Sequence, residues 1–154
     1  MSEVWEKDSF LISCDKTKLQ LDRIHHFLSQ EAYWSLGIPR KTIETGIQNS
    51  LCFGVYEKAT ASELQIGFAR VISDYASFAW LCDVYIESSH RGLGLSKWLM
   101  KCICNYPKLQ NLRRFALGTR DAHGLYHQFG FEAVKNPENM LEIKNNDIYK
   151  RELK

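Results

Sequence analysis

The sequence lacks several of the marks by which a chain announces its class. No stretch is apolar for long enough to span a bilayer, and the amino end, MSEVWEKDSF, carries charges where a signal peptide has its apolar core. The expectation is a cytoplasmic protein with no membrane partner. The formal net charge is only +2, so there is no basic excess to grip long nucleic acid, although local groups can still hold a small anion. The five cysteines, at 14, 52, 82, 102 and 104, form no CxxC pair and mostly lie in apolar runs such as SLCFGVY, which reads as buried free thiols rather than zinc ligands or disulfides. None of the five histidines belongs to an HExxH pair, so no metal is implied. No repeat, low-complexity tract or linker divides the chain.

What remains is an ordinary globular composition, 45% hydrophobic and 25% charged over 154 residues, which suits one domain spanning 1–154. Phe10 to Ser13 reads as a first strand, and Asp15 or Thr17 offers a cap for a helix reaching about Glu31, with Leu21, Ile24, Phe27 and Leu28 at helical spacing. Pro39 opens a second, shorter helix with Ile43 and Ile47 on one face. The period then changes. Leu51 to Glu57, Glu63 to Ile72 and Phe78 to Ile86 are three strand-like runs joined by short polar connectors, an antiparallel meander whose exposed edges make a homodimer an expectation. A helix with Leu95, Trp98, Leu99, Cys102 and Ile103 on one face follows, stopped by Pro107, and then a strand from Arg113 to Thr119. Strand, helix and strand in that order make a crossover with parallel strands. A last short helix runs from a cap at Asp121 to Gly130, and Met140 to Ile143 is a candidate final strand. The predicted fold class is α/β (α+β): a mixed, mostly antiparallel central sheet flanked by helices, with one late βαβ crossover.

The stretch SSHRGLGLSKWLM, Ser88 to Met100, lies where a strand feeds a helix. Such a turn aims several backbone amides and the positive end of a helix dipole at one point, and glycine lets an anion approach the backbone. The nucleotide P-loop needs four residues between its glycines followed by Gly-Lys-Ser or Gly-Lys-Thr, and neither is present. The dinucleotide fingerprint would need a third glycine where Lys97 stands. Arg91-Gly92-Leu93-Gly94-Leu95-Ser96 instead resembles the R-x-x-G-x-G/A segment of the GCN5-related N-acetyltransferase (GNAT) family, departing only at Ser96. The order of elements is similar across nearly the whole chain, and Ala122, Tyr126, Gly130 and Phe131 match the family's A-x-x-x-Y-x-x-x-G-F pattern. The family's usual Asn, seven residues before that Tyr, is Thr119 here.

The resemblance implies the acyl-CoA N-acyltransferase fold and transfer of an acetyl group from acetyl-CoA, as cosubstrate, to a primary amine of a small molecule or peptide in a ternary complex. Arg91 to Ser96 would hold the pyrophosphate, the backbone of Val84, Tyr85 and Ile86 the pantetheine arm, and Thr119 would take the place of its usual side-chain contact. Tyr126 is implied as the general acid at the leaving thiolate; on its residue pattern alone it is also a core aromatic beside Leu125 and Phe129. Asp83 is an acid inside the apolar strand WLCDVYI, placed by alternation on one face with Leu81 and Tyr85, and it is either the general base, a partner of a cation such as Arg70, or a binder of the substrate ammonium. Glu31, Tyr33 and Trp34 are the candidates to wall the acceptor pocket. A module of this fold that holds acyl-CoA without turnover is the competing function, and acylation of a hydroxyl or use of a longer acyl chain is a further one.

Overall fold

The computed structural model describes residues 2–59 and 61–150. Six strands form one sheet in chain order: β1 (Val4–Lys7), β2 (Phe10–Ser13), β3 (Leu51–Lys58), β4 (Glu63–Ser73), β5 (Phe78–Ile86) and β6 (Arg114–Leu117). Neighbours are antiparallel through β5, and β6 joins β5 in parallel. Helices α1 (Leu21–Gln30) and α2 (Arg40–Gln48) connect β2 to β3, α3 (Leu95–Cys104) makes the crossover from β5 to β6, and α4 (His123–His127) follows β6. This is the mixed, mostly antiparallel sheet with one late crossover that the sequence predicts.

Alternation along the strands sorts side chains into two cores. Leu51, Phe53 and Val55 of β3 pack with Leu81, Leu99 and Ile103 on the α3 side, whereas Cys52 packs with Ile24, Phe27, Leu28 and Ile43 of α1 and α2. Each fully buried aliphatic or aromatic side chain contributes about 1.5–3 kcal/mol, so the sheet is clamped from both faces. The Phe27 and Tyr85 rings stack with centroids 3.8 Å apart and fix the end of β5 to α1.

Several expectations are corrected. Asp15 caps only a short 3₁₀ turn, accepting from the Thr17 backbone N–H, and α1 begins later, at Leu21. The cause is Gln20, whose backbone N–H donates to the Gln65 side chain and whose own amide donates to the Glu63 carbonyl, tying the intervening chain to β4. β1 precedes the strand expected to be first. The free edges of the sheet belong to β1 and β6, and within the meander only the end of β5 beyond Leu81 lacks a second partner strand. Met140 to Ile143 forms no strand. All five thiols are free, and burial is the first cause raising them, Cys52 and Cys102 to about 11.

Candidate functional site

β5 and β6 pair over only four positions, from Phe78 opposite Arg114 to Leu81 opposite Leu117. Beyond Leu81 the two strands part, and no β6 backbone pairs with Cys82–Ile86 among the described residues. A gap in the sheet results, with α3 starting beyond the C-terminal end of β5 and α4 beyond that of β6.

At one end stands the glycine turn. Gly92 and Gly94 have φ of +82° and +78°, a region closed to most side chains, and a Cβ on either would meet nothing within 4 Å. Gly94 is the N-cap of α3, no side chain caps that helix, and its first internal bond runs from the Trp98 N–H to the Gly94 carbonyl. The amides of Leu95, Ser96 and Lys97 are thus free donors at the positive end of a helix dipole. Arg91 bonds through Nε to the Ile86 carbonyl, 3.0 Å away, which leaves its terminal nitrogens for a ligand. The turn is braced from behind. His90 bridges the Glu57 carboxylate and the Ser89 hydroxyl, and Arg23 ties Glu87 to the Gln65 carbonyl of β4.

In the middle of β5 the pleat is interrupted. Between the pairs Phe68–Tyr85 and Arg70–Cys82, β4 advances two residues and β5 three, so β5 carries a bulge, with Asp83 at φ +55°. The extra residue overturns the expected facing. Leu81 packs in the α3-side core and Tyr85 in the α1/α2 core, so the two no longer share a side. Asp83 is drawn to two donors: Arg70 Nε gives a 2.9 Å bond to one carboxylate oxygen, and Trp34 Nε1 a 2.9 Å bond to the other. The pairing of Asp83 with Arg70 that the sequence offered is the arrangement seen. Burial is the largest influence on the Arg70 guanidinium and lowers it, but the charge and hydrogen bond of Asp83, together with the neighbouring thiols, raise the group above its ordinary value. Arg70 Nη1 also donates to Ser50 Oγ, so from β4 it ties β5 to the residue just ahead of β3.

The loop after α1 closes over this bulge. Trp34 and Tyr33 meet edge to face with centroids 5.1 Å apart. The Tyr33 hydroxyl accepts the Arg120 N–H at 3.0 Å, and the Arg120 guanidinium lies 3.7 Å from the Tyr33 ring centroid. The first-helix side of the cleft is thereby joined to the β6–α4 side. Glu31 is not part of this cluster; its carboxylate turns to His26, 3.7 Å away. Arg120 is a member of the site that the sequence did not single out. Its signal was the Arg120-Asp121 pair directly after Thr119, at the point where the parting strand gives way to the α4 turn.

Tyr126, on α4, is buried, and desolvation, then the neighbouring Tyr33 and Asp121, push its phenol up to about 12. It therefore stays protonated across the neutral range. The expected cap at Asp121 is corrected: Thr119 Oγ1 accepts the Ala122 N–H at 3.1 Å in the turn ahead of α4, and the helix ends at His127 with Gln128 as its C-cap, two residues before Gly130 at φ +90°.

Similarity to known proteins bears on this geometry. A sequence model described as the acetyltransferase (GNAT) family matches residues 21–131. The chain is 31% identical over 142 residues to FG08082 of Gibberella zeae, whose name places it among the acetyltransferases, covering 79% of this chain and 78% of that one. A crystal structure of a GNAT-family protein from Xanthomonas campestris superposes with a TM-score of 0.86 at 42% identity, covering 94% of this chain and 99% of the other. A Clostridium acetobutylicum protein crystallised with acetyl-CoA shares the fold, at 16% identity and a TM-score of 0.57 over 94% of this chain and 96% of its own.

Proposed function

The chain belongs to the acetyltransferase (GNAT) family, and from that premise we propose that it transfers the acetyl group of acetyl-CoA to a primary amine by direct attack within a ternary complex. The observation that carries this reading is the parting of β5 from β6 beyond Leu81, with an uncapped helix N-terminus following β5 and a protonated, buried phenol following β6. The residues fit the cosubstrate. The amides of Leu95, Ser96 and Lys97, the open space over Gly92 and Gly94 and the Arg91 guanidinium suit a pyrophosphate. The stretch Val84–Ile86, which β6 leaves unpaired, suits the amides of a pantetheine arm lying as an added strand, with the Ile86 carbonyl held by Arg91. Thr119 is committed to the α4 turn and lends its backbone region more than its hydroxyl.

When bound, acetyl-CoA supplies an acetyl group activated as a thioester. The acceptor enters as a neutral amine under Tyr33 and Trp34. Its nitrogen forms a bond to the acetyl carbon, the carbon–sulfur bond breaks with its electron pair going to sulfur, and the nitrogen gives up one proton to solvent, leaving the amide and the thiolate. Tyr126 donates a hydrogen bond to the departing sulfur. Asp83, with one bond to Arg70 and one to Trp34, still has lone pairs free, since a carboxylate offers about four sites. We assign it to orienting the amine; the amine's surplus proton is lost to solvent before attack. Glu31, facing away, serves at most as an outer charge on the approach.

Asp83→Asn is expected to lower kcat/KM about tenfold while the acid limb of the pH profile keeps its position, because that limb belongs to the acceptor's own ammonium. A limb that moves with the substitution makes Asp83 the base. The overall reading is tested by incubating the protein with acetyl-CoA and a panel of amines, amino acids, polyamines and peptides, and following product by mass spectrometry. Acetylated amine is the expected outcome. Binding of acetyl-CoA with no product from any amine would support a sensor module instead, and acetylated hydroxyls an O-acyltransferase.

A further inference from the structure

Where β5 and β6 part, the two banks of the gap carry opposite charges. The strands run parallel and last pair at Leu81 and Leu117, so Arg120 stands three residues past the final pair on one bank, as Val84 does on the other. Asp83, next to Val84, has its carboxylate held on the β5 bank by Arg70 and Trp34. Trp34 meets Tyr33 edge to face, and Tyr33 holds Arg120, so one aromatic pair links the two charged groups.

The Arg120 guanidinium is fixed in place without being neutralised. Arg23, Arg40 and Arg70 each pair with a carboxylate, whereas Arg120 pairs with none among the described residues, its chain neighbour Asp121 included. Its backbone N–H is fastened to the Tyr33 hydroxyl, and its guanidinium lies over the Tyr33 ring. A guanidinium packed by its flat face keeps its N–H donors in the plane, in the fork that matches a carboxylate. The floor where the strands part is aromatic. Ala79 and Leu81 pack into the α3-side core, so alternation turns Trp80 to the opposite face, where it is half-buried. Its ring reaches across to the end of β6, since a Cβ on Gly118 would meet it at 3.7 Å.

We propose that Arg120 determines the acceptor class, and that the acceptor is a small amino acid: Asp83 orients its amine, Arg120 receives its carboxylate through two charge-assisted hydrogen bonds, and its carbons lie against Trp80 and Tyr33. This names the substrate class of the site already described and rests on the acetyltransferase reading. The carboxylate is recognised and takes no part in bond making; the amine nitrogen attacks as before. Discrimination has two sources. A plain alkylamine leaves Arg120 without an anion, and a diamine sets a second ammonium against the guanidinium, a like-charge contact that rejects it.

Paired substrates test this. Glycine, β-alanine, γ-aminobutyrate and L-phenylalanine are each compared with the amine that lacks the carboxylate, and the readout is the ratio of the two kcat/KM values. For the best pair, the wild-type ratio is expected to be about tenfold or more in favour of the amino acid. Arg120→Gln should bring that ratio near one, Arg120→Glu should invert it, and Arg120→Lys should keep part of it, having the charge without the fork. Arg120 is exposed, so these variants are expected to fold. Tyr33→Leu, which removes the ring beneath the guanidinium, should lower the same ratio. A wild-type ratio near one, or a preference that survives Arg120→Gln, overturns the inference and leaves the acetyltransferase reading standing. Calorimetry assigns the guanidinium independently: acetyl-CoA affinity should stay within a factor of about two in Arg120→Gln, and a loss of about tenfold or more gives Arg120 to the cosubstrate and overturns the inference. If wild type acetylates none of the amines, the acetyltransferase reading falls, and nuclear magnetic resonance decides the acid site. In CoA-bound protein the Arg120 Nε–H signal, identified by its loss in Arg120→Gln, is expected to shift with at least one of the four amino acids and not with its carboxylate-free amine. A signal that none of the four moves overturns the inference.

Discussion

Gly94→Glu is expected to weaken acetyl-CoA binding at least about 100-fold, equivalent to roughly 2.7 kcal/mol. Two effects add. A non-glycine residue at φ +78° costs about 1–2 kcal/mol of backbone strain. A carboxylate placed about 4 Å from the site of a pyrophosphate adds roughly 4 kcal/mol of repulsion at the effective dielectric of a protein surface. Repulsion therefore outweighs strain, and Gly94→Ala separates the two. A Cβ at this position meets no atom within 4 Å, so Ala introduces strain without a clash and should cost only a few-fold in affinity. Calorimetric titration of both variants with acetyl-CoA checks this, with urea unfolding as the measure of strain. An affinity unchanged by the Glu substitution places the anion site somewhere other than this turn.

Tyr126→Phe should lower kcat at least tenfold while leaving the dissociation constant of acetyl-CoA within a factor of about two. The ring fills a buried place against Phe131, with centroids 6.0 Å apart, and Phe preserves that packing, so loss of turnover reads on the hydroxyl alone. Proton transfer from a phenol held near 12 to a thiolate of ordinary value about 8.5 runs uphill by roughly 5 kcal/mol. The hydroxyl therefore acts first by donating a hydrogen bond as negative charge grows on sulfur, an interaction made in the transition state and not in the ground state. The sign of its pH dependence follows. The active form is the protonated one, and a phenol raised toward 12 keeps its proton through pH 10, so wild-type kcat should show no falling basic limb from this group below that point. A basic limb near pH 9 to 10 that disappears in Tyr126→Phe would contradict the burial of this side chain.

The meander was legible because its strands are buried on both faces and their apolar runs end at short polar connectors; β5 has the same bounds in sequence and structure. The glycine turn was legible because only glycine satisfies a positive φ at the N-cap of an uncapped helix. β1 left no such mark. It is a short edge strand of mostly exposed residues, with Glu6 and Lys7 giving it the polar character that open edges favour. The bulge at Asp83 was invisible for another reason. An inserted residue alters no composition, and its effect on facing is known only once the Phe68–Tyr85 and Arg70–Cys82 pairs are known. Trp34 meets Asp83 across 49 residues of chain, so local pattern could propose each side chain for the site but not the bond that joins them. Met140 to Ile143 shows the converse, a strand pattern in the sequence that forms no strand in the structure.

The parting of β5 from β6 gives the domain an unfinished ladder. Its two halves share rungs only from Phe78 to Leu81, and past that point the rungs of β5 wait for an outside rail. A molecule with evenly spaced amides laid in that gap would serve as scaffolding during each catalytic cycle, bracing β5 against the β6–α4 end where Tyr126 stands. On release the brace goes with it. Under the proposed reaction, rigidity beside Tyr126 would be borrowed from the reactant and returned at every turnover, leaving the bond from the Arg120 N–H to the Tyr33 hydroxyl as the one strut across the gap among the described hydrogen bonds.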